Sequence, residues 1–211
     1  MTTIIIVRHG ESQGNAQNIF LGHTNMDLTE LGKQQAQKTA QYLQNYKIDA
    51  IFASDLDRAY NTAKPTADLQ GKEIVKCQDL REIFAGDWEA VNYYGIYDKD
   101  PEPFTAWLND IDNAACTNGE SAAQMKERVI AAIGTIAKQN DGKTVAVFSH
   151  ATPIKALFSA WTNTLMKDIG WVKNASVTVV EYNNIKDVRF IKTDYAEHLD
   201  GMVTFLPEKV E

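Results

Sequence analysis

The sequence predicts a three-layer α/β/α fold with a mostly parallel central sheet and an inserted, aromatic-rich cap segment. Short, continuously apolar strand signals alternate with amphipathic helical stretches, as expected where a parallel sheet is covered by helices on both faces. The alternation fails once, over about residues 84–118, where Trp88, Tyr93, Tyr94, Tyr97, Phe104 and Trp107 are interrupted by Asp-Pro-Glu-Pro without sustained periodicity. At 211 residues the chain suits one domain (1–211) carrying that insertion; two full domains would be cramped.

Each element has its own signal. Thr3 to Val7 is β-branched and unbroken by polar residues, the mark of a doubly covered strand. Thr29 is placed to cap a helix running to about Asn45, with Ala36, Ala40 and Leu43 on one face. Ala50 to Ala53 reads as a short strand, and Ser54 or Asp55 is placed to cap a helix bearing Leu56, Ala59 and Ala63 that Pro65 kinks or ends. Ile74 to Cys77 is a weaker strand. The aromatic segment suits either a cap over a site or a satellite cluster of the core, because large rings serve both. Glu120 to Gln139 carries a helical stripe of Met125, Val129, Ile133 and Ile136, and Thr144 to Phe148 is again a strand. Thr152-Pro153 reads as an N-cap and first helical position ahead of Ile154, Leu157, Phe158 and Trp161. Ser176 to Tyr182 and Val188 to Thr193 close the sheet as a hairpin around Asn183-Asn184, and a short tail follows.

Composition narrows the function. With 44% hydrophobic and 23% charged residues the chain is an ordinary globular one. Net charge is −7 and the basic residues are scattered, which argues against a nucleic-acid partner while allowing a local cationic pocket for a small anion. Two cysteines, Cys77 and Cys116, without CxxC spacing or a nearby histidine, suit buried fillers better than a disulfide or thiolate metal site. The first apolar run is too short for a signal sequence or membrane span, so no membrane association and a cytoplasmic location are expected.

Two strands end alike. Val7 is followed by Arg8-His9-Gly10 and Phe148 by Ser149-His150-Ala151, each placing an imidazole at the carboxyl end of the sheet, where α/β folds bind ligands. The helix start behind His150 favours an anion. Arg8 and Arg58 add guanidiniums that grip phosphate oxygens through forked hydrogen bonds, and Glu82 brings a carboxyl group. Each residue alone reads as structural or solvated; at neighbouring strand ends they form a nucleophile, a charge clamp and an acid. No metal set accompanies them: four histidines, none at HxxxH spacing, and no paired aspartates beside them.

RHGES followed by Asn15, LTELG at 28–32, SDLDRAYNTA at 54–63, LREIFAGDWEA at 80–90, NGES at 118–121 and FSHATPIKAL at 148–157 together resemble the histidine phosphatase superfamily, in the branch of cofactor-dependent phosphoglycerate mutases and broad-specificity phosphatases. The resemblance implies a phosphohistidine on His9, a phosphate pocket of Arg8, Arg58 and His150, and Glu82 as general acid. It further implies phosphate contacts from Asn15 and from the backbone N–H groups of Gly22 and Ala151. His23 stands where relatives carry an aromatic, facing either substrate or solvent; His198 reads as a surface residue. LREIFAGDWEA, and the short span from Glu82 to His150, favour a metal-independent phosphomonoester hydrolase without cofactor. The alternatives are a phosphoglycerate mutase, which would need 2,3-bisphosphoglycerate as primer, and a non-catalytic phospho-ligand binder. The expected partner is a small phosphomonoester, with apolar or planar bulk suggested by the aromatic insertion; the sequence leaves monomer and homodimer both open.

Overall fold

The first apolar run becomes β1 (Thr2–Arg8), continuous to the arginine that ends it. The computed structural model describes residues 1–204, and the expected tail falls on 205–211, outside the described residues. A capping box between Ser12 and Asn15 opens α1 (Gln13–Ala16), which leads into β2 (Ile19–Phe20). Thr29 caps α2 (Glu30–Leu43) by accepting from the Gly32 N–H. Then come β3 (Ala50–Ala53), α3 (Asp57–Gln70) and β4 (Ile74–Lys76). Neither Ser54 nor Asp55 caps α3: the N-cap is Leu56, and Pro65 sits inside a helix that continues to Gln70. One backbone hydrogen bond is lost there, and the buried stripe of Ala59, Ala63 and Ala67 outweighs it.

The insertion folds as β5 (Val91–Asn92), α4 (Tyr93–Lys99) and α5 (Pro101–Asn109). Regular structure resumes with α6 (Ala122–Gln139), β6 (Thr144–Ser149), α7 (Ala151–Thr162), β7 (Val177–Asn184) and β8 (Asp187–Tyr195). The N-cap of α7 is His150 rather than Thr152. Pro153 is still tolerated, because N–H groups of the first turn have no intrahelical partner. The hairpin turns at Ile185-Lys186, where the Asn184 side chain accepts from the Lys186 N–H, so Asn183-Asn184 end the strand instead of forming the turn.

The six-stranded sheet runs β4-β3-β6-β1-β7-β8. Strands β4, β3, β6 and β1 are parallel, and β7 and β8 continue antiparallel. Alternation splits each central strand between two cores: Ile4, Ile6, Val145 and Val147 face α6, α7 and the insertion, whereas Ile5, Val7, Ala146 and Phe148 face α2 and α3. The aromatics of the insertion pack into the main core instead of forming a satellite cluster. Trp88, Phe104 and Trp107 belong to the core under the first face, and the two-stranded β2-β5 ribbon ties them to the chain near the first strand end. Cys116 is buried and Cys77 half-buried, both as free thiols. His198 is half-buried instead of fully exposed: its ring stacks on Tyr42 and Tyr195, 5.0 and 5.6 Å between centroids, and it bonds the Thr39 hydroxyl. Among the described residues no helix is long and apolar enough to cross a membrane.

Because Trp88 is 1% exposed and donates its indole N–H to Asp100 at 2.7 Å, Trp88→Ala should lower unfolding free energy by about 3–5 kcal/mol in urea titration. A loss below about 1 kcal/mol would show that the insertion packs independently of the sheet.

Candidate active site

Register brings the strand ends level. Val7 lies opposite Phe148, and Phe148 opposite Ala53, so the residues just past β1, β6 and β3 are neighbours. The His9 N–H donates to the Ser149 carbonyl at 3.0 Å, and the His9 and His150 rings are 5.1 Å apart. The His9 carbonyl accepts from the Ala175 N–H and the Asn174 side chain, both at 3.1 Å. The Gly10 N–H donates to Thr62 Oγ1 at 3.0 Å. Only glycine fits at position 10, since a Cβ there would lie 2.6 Å from the Gly32 carbonyl oxygen. His9 Nδ1 lies 2.6 Å from the Gly10 carbonyl, which can only accept, so Nδ1 carries the proton and Nε2 keeps its lone pair.

Arg8 and Arg58 are each 1% exposed, and no carboxylate forms an ion pair with either among the described residues. Arg8 donates to the Val172 carbonyl at 2.5 Å and its Nε has no partner among the described residues. Arg58 donates to the carbonyls of Gly22 (2.7 Å) and Thr24 (3.0 Å). Burial pulls both guanidiniums down to about 10, still charged at neutral pH. Burial first, then Arg58 and Arg8, drives His9 well below the ordinary imidazole range, and burial with Arg58 does the same to His150. His150 is fully buried; its Nε2 meets Ser54 Oγ at 2.8 Å and its Nδ1 has no partner among the described residues.

Arg8, His9, Asn15, Gly22, Arg58, Glu82 and Ala151 line one cavity of about 460 Å³ together with Tyr93, Phe104 and Trp107, and the His150 ring lies beside that of His9. Asn15 Oδ1 is engaged by Ser12 and Asn174, which leaves its Nδ2 as a donor. Glu82 accepts from its neighbour's N–H, Ile83, at 2.9 Å and from the Thr152 N–H in the first turn of α7 at 3.3 Å. His23 stands apart from the cavity. Its Nε2 donates to the Glu82 carbonyl at 3.0 Å and its ring lines an outer depression with Arg81 and Arg128, so in this structure it holds the Glu82 backbone.

Several residues were not legible as site residues. Arg128, on α6, donates to the carbonyls of Asp79, Arg81 and Glu82 at 2.9, 2.9 and 2.8 Å, while its Nε and Nη2 also pair with Glu120. Glu89 accepts from the N–H groups of His23 and Thr24, both at 2.7 Å, and of Ala85 at 3.0 Å, and from the Thr24 hydroxyl. It thereby fixes the loop whose carbonyls orient Arg58. Gly22, at φ +46°, must be glycine: a Cβ would lie 2.2 Å from the Glu89 carboxylate. Thr62, Asn174 and Ser54 brace the histidines. The position of Arg58 and Thr62 four apart on α3 was the one available clue.

This arrangement is that of a family. The histidine phosphatase superfamily (branch 1) model matches residues 4–189, and the chain belongs to that superfamily. It is an enzyme, a phosphohydrolase of the kind that works through a phosphohistidine. It is 31% identical over 202 residues to phosphoserine phosphatase 1 of Hydrogenobacter thermophilus, covering 94% of this chain and 95% of that one. It is 30% identical over 154 residues to the adenosylcobalamin/alpha-ribazole phosphatase of Escherichia coli, covering 73% and 76%. Among solved structures, Bacillus stearothermophilus YhfR superposes with a TM-score of 0.90 at 27% identity, over 94% of this chain and 100% of that one.

Three outcomes follow from this geometry. In an NMR titration of the imidazole nitrogens, His9 and His150 should stay neutral as pH falls through 6.5, with His9 protonated at Nδ1; titration near 6.5 would contradict the buried, cation-flanked setting. The unfolded chain takes up protons there that the folded one refuses, so melting temperature should fall on acidification below 6.5. Arg128→Met, which frees the Asp79 and Arg81 carbonyls and leaves that of Glu82 to His23 alone, should lower kcat on alkyl phosphates by roughly tenfold with little change in KM, a fraction of what removing a general acid costs. An unchanged kcat would show that Glu82 needs no such brace.

Proposed function

We propose that the chain, acting as one catalytic domain over 1–211, is a metal-independent phosphomonoester hydrolase in which His9 Nε2 is the nucleophile. The observation that carries this is the contact of His9 Nδ1 with the Gly10 carbonyl, which leaves Nε2 as the basic nitrogen of an imidazole lining the same cavity as two buried guanidiniums. Nε2 attacks phosphorus as the ester P–O bond breaks. Arg8, Arg58, Asn15 and His150 Nδ1 stabilise the charge spread over the equatorial oxygens, with backbone N–H groups at Gly22 and Ala151 assisting. Glu82, protonated, gives its proton to the leaving oxygen. Water then attacks the phosphohistidine, Glu82 takes the water's proton, the P–N bond breaks, and inorganic phosphate leaves with Nε2 restored.

Water as acceptor, with no primer, is supported by the Gly-x-Trp-Glu stretch at 86–89, whose glutamate is committed to holding the Gly22 loop, and by phosphatase activities in the names of both relatives. The substrate is a small phosphomonoester met in the cytoplasm. A phosphorus NMR time course in chelator, with p-nitrophenyl phosphate, 3-phosphoglycerate and a trace of 2,3-bisphosphoglycerate, separates the possibilities. Growth of inorganic phosphate supports hydrolysis; conversion to 2-phosphoglycerate without it would replace hydrolysis by a mutase. His9→Ala should abolish release. Glu82→Gln should slow alkyl esters by roughly 100-fold or more and aryl esters far less, because a phenolate leaves without needing a proton; equal losses would remove Glu82 as the acid.

A further inference from the structure

The cavity carries a second cationic station that the hydrolytic chemistry does not use. Ala151, Thr152 and Lys155 share one face of α7 and all line the cavity. Lys155 therefore lies about 6 Å of helix rise beyond Ala151, away from the phosphate end. It is 4% exposed, yet no carboxylate forms an ion pair with it among the described residues. Its ammonium donates to the Ile169 carbonyl and sits 4.2 Å from the centre of the Trp171 ring, which also lines the cavity. An ammonium has three donors, so these contacts leave it hydrogen-bonding capacity.

The nearby acids do not consume that capacity. Both Asp112 oxygens accept backbone N–H groups, from Met166 at 2.9 Å and Lys167 at 3.0 Å. Asp168 is near enough to favour the charge but does not pair with it. Lys167, the other lysine on this rim, faces Asp110 at 3.8 Å. Glu82 stands at the opposite end, against the Thr152 N–H. Burying an ammonium without a counterion is costly, and an anion entering the cavity would offset that cost.

We infer that Lys155 is a specificity-determining residue that binds a second anionic group on the substrate, so that the site takes phosphomonoesters bearing a carboxylate or further phosphoryl group a few bonds from the ester. This rests on the hydrolase reading above. The Trp171 face and the lysine stem flank the spacer between the two anions.

Matched esters test it. Measure kcat/KM for 3-phosphoglycerate against glycerol 3-phosphate, which differ by a carboxylate in place of a hydroxymethyl, and for fructose 1,6-bisphosphate against fructose 6-phosphate. In the wild-type protein at least one pair should favour the more anionic member by roughly tenfold or more, expressed in KM, as a charge-assisted hydrogen bond provides. The pair that shows it identifies carboxylate or phosphoryl. Lys155→Met, which keeps the stem, should bring that ratio close to one, and Lys155→Arg should retain part of it. Wild-type ratios near one in both pairs would overturn the inference even if the variants fail to fold. So would a Lys155→Met variant that slows both members equally, since that is the behaviour of a strut to Ile169. Turnover of p-nitrophenyl phosphate with flat ratios sinks only the role of Lys155; no turnover of any ester sinks the hydrolase reading together with it.

Discussion

The site depends on two buried guanidiniums that have no carboxylate of their own among the described residues. Arg8 and Arg58 sit in the protein interior held mainly by backbone carbonyls, and such groups satisfy hydrogen bonds without cancelling charge. Their fields are one reason His9 and His150 remain neutral, and burial is the larger one. A neutral imidazole with its Nδ1 proton committed to Gly10 has a single basic nitrogen left. The two guanidiniums and the imidazole are thus parts of one electrostatic arrangement, and weakening the first changes the second.

Holding that arrangement occupies much of the chain. Parallel pairing of β3, β6 and β1 levels the strand ends, the antiparallel β7 brings the Asn174-Ala175 backbone up against His9, and α3 supplies both Arg58 and the Thr62 hydroxyl. The insertion closes the other side. Phe104 and Trp107 are at once core side chains and cavity wall, so the shape of the site is set by the same packing that stabilises the fold. Glu89 and Arg128 work at one remove, each taking a loop that would otherwise be free and fixing it with several hydrogen bonds.

What could be read from the sequence was what is local. An apolar run that stops at Arg8-His9, and a second that stops at Ser149-His150, announce strand ends because a buried strand cannot carry charge along its middle. The residues that depend on distant contacts were hidden. Arg128 looks like any polar residue on an amphipathic helix, and Asn174 lies in a stretch without motif. His23 follows Gly22 closely enough to pass for a substrate contact, yet its ring turns to the Glu82 carbonyl. Pro65 misled because local propensity marks a helix end, whereas the buried face of α3 carries the helix through it. The N-cap of α7 shifted from Thr152 to His150 for a comparable reason: the histidine already occupies the extended conformation that ends β6.

The central claim is that the phosphoryl group passes through His9 Nε2. The most direct measurement is acid-free rapid quenching during turnover of p-nitrophenyl phosphate, followed by peptide mapping at alkaline pH, where phosphohistidine survives. The account predicts one labelled peptide, carrying phosphate on Nε2 of His9, formed and lost within the turnover time. Label on His150 or on a serine, or steady turnover with His9 never phosphorylated, would contradict it.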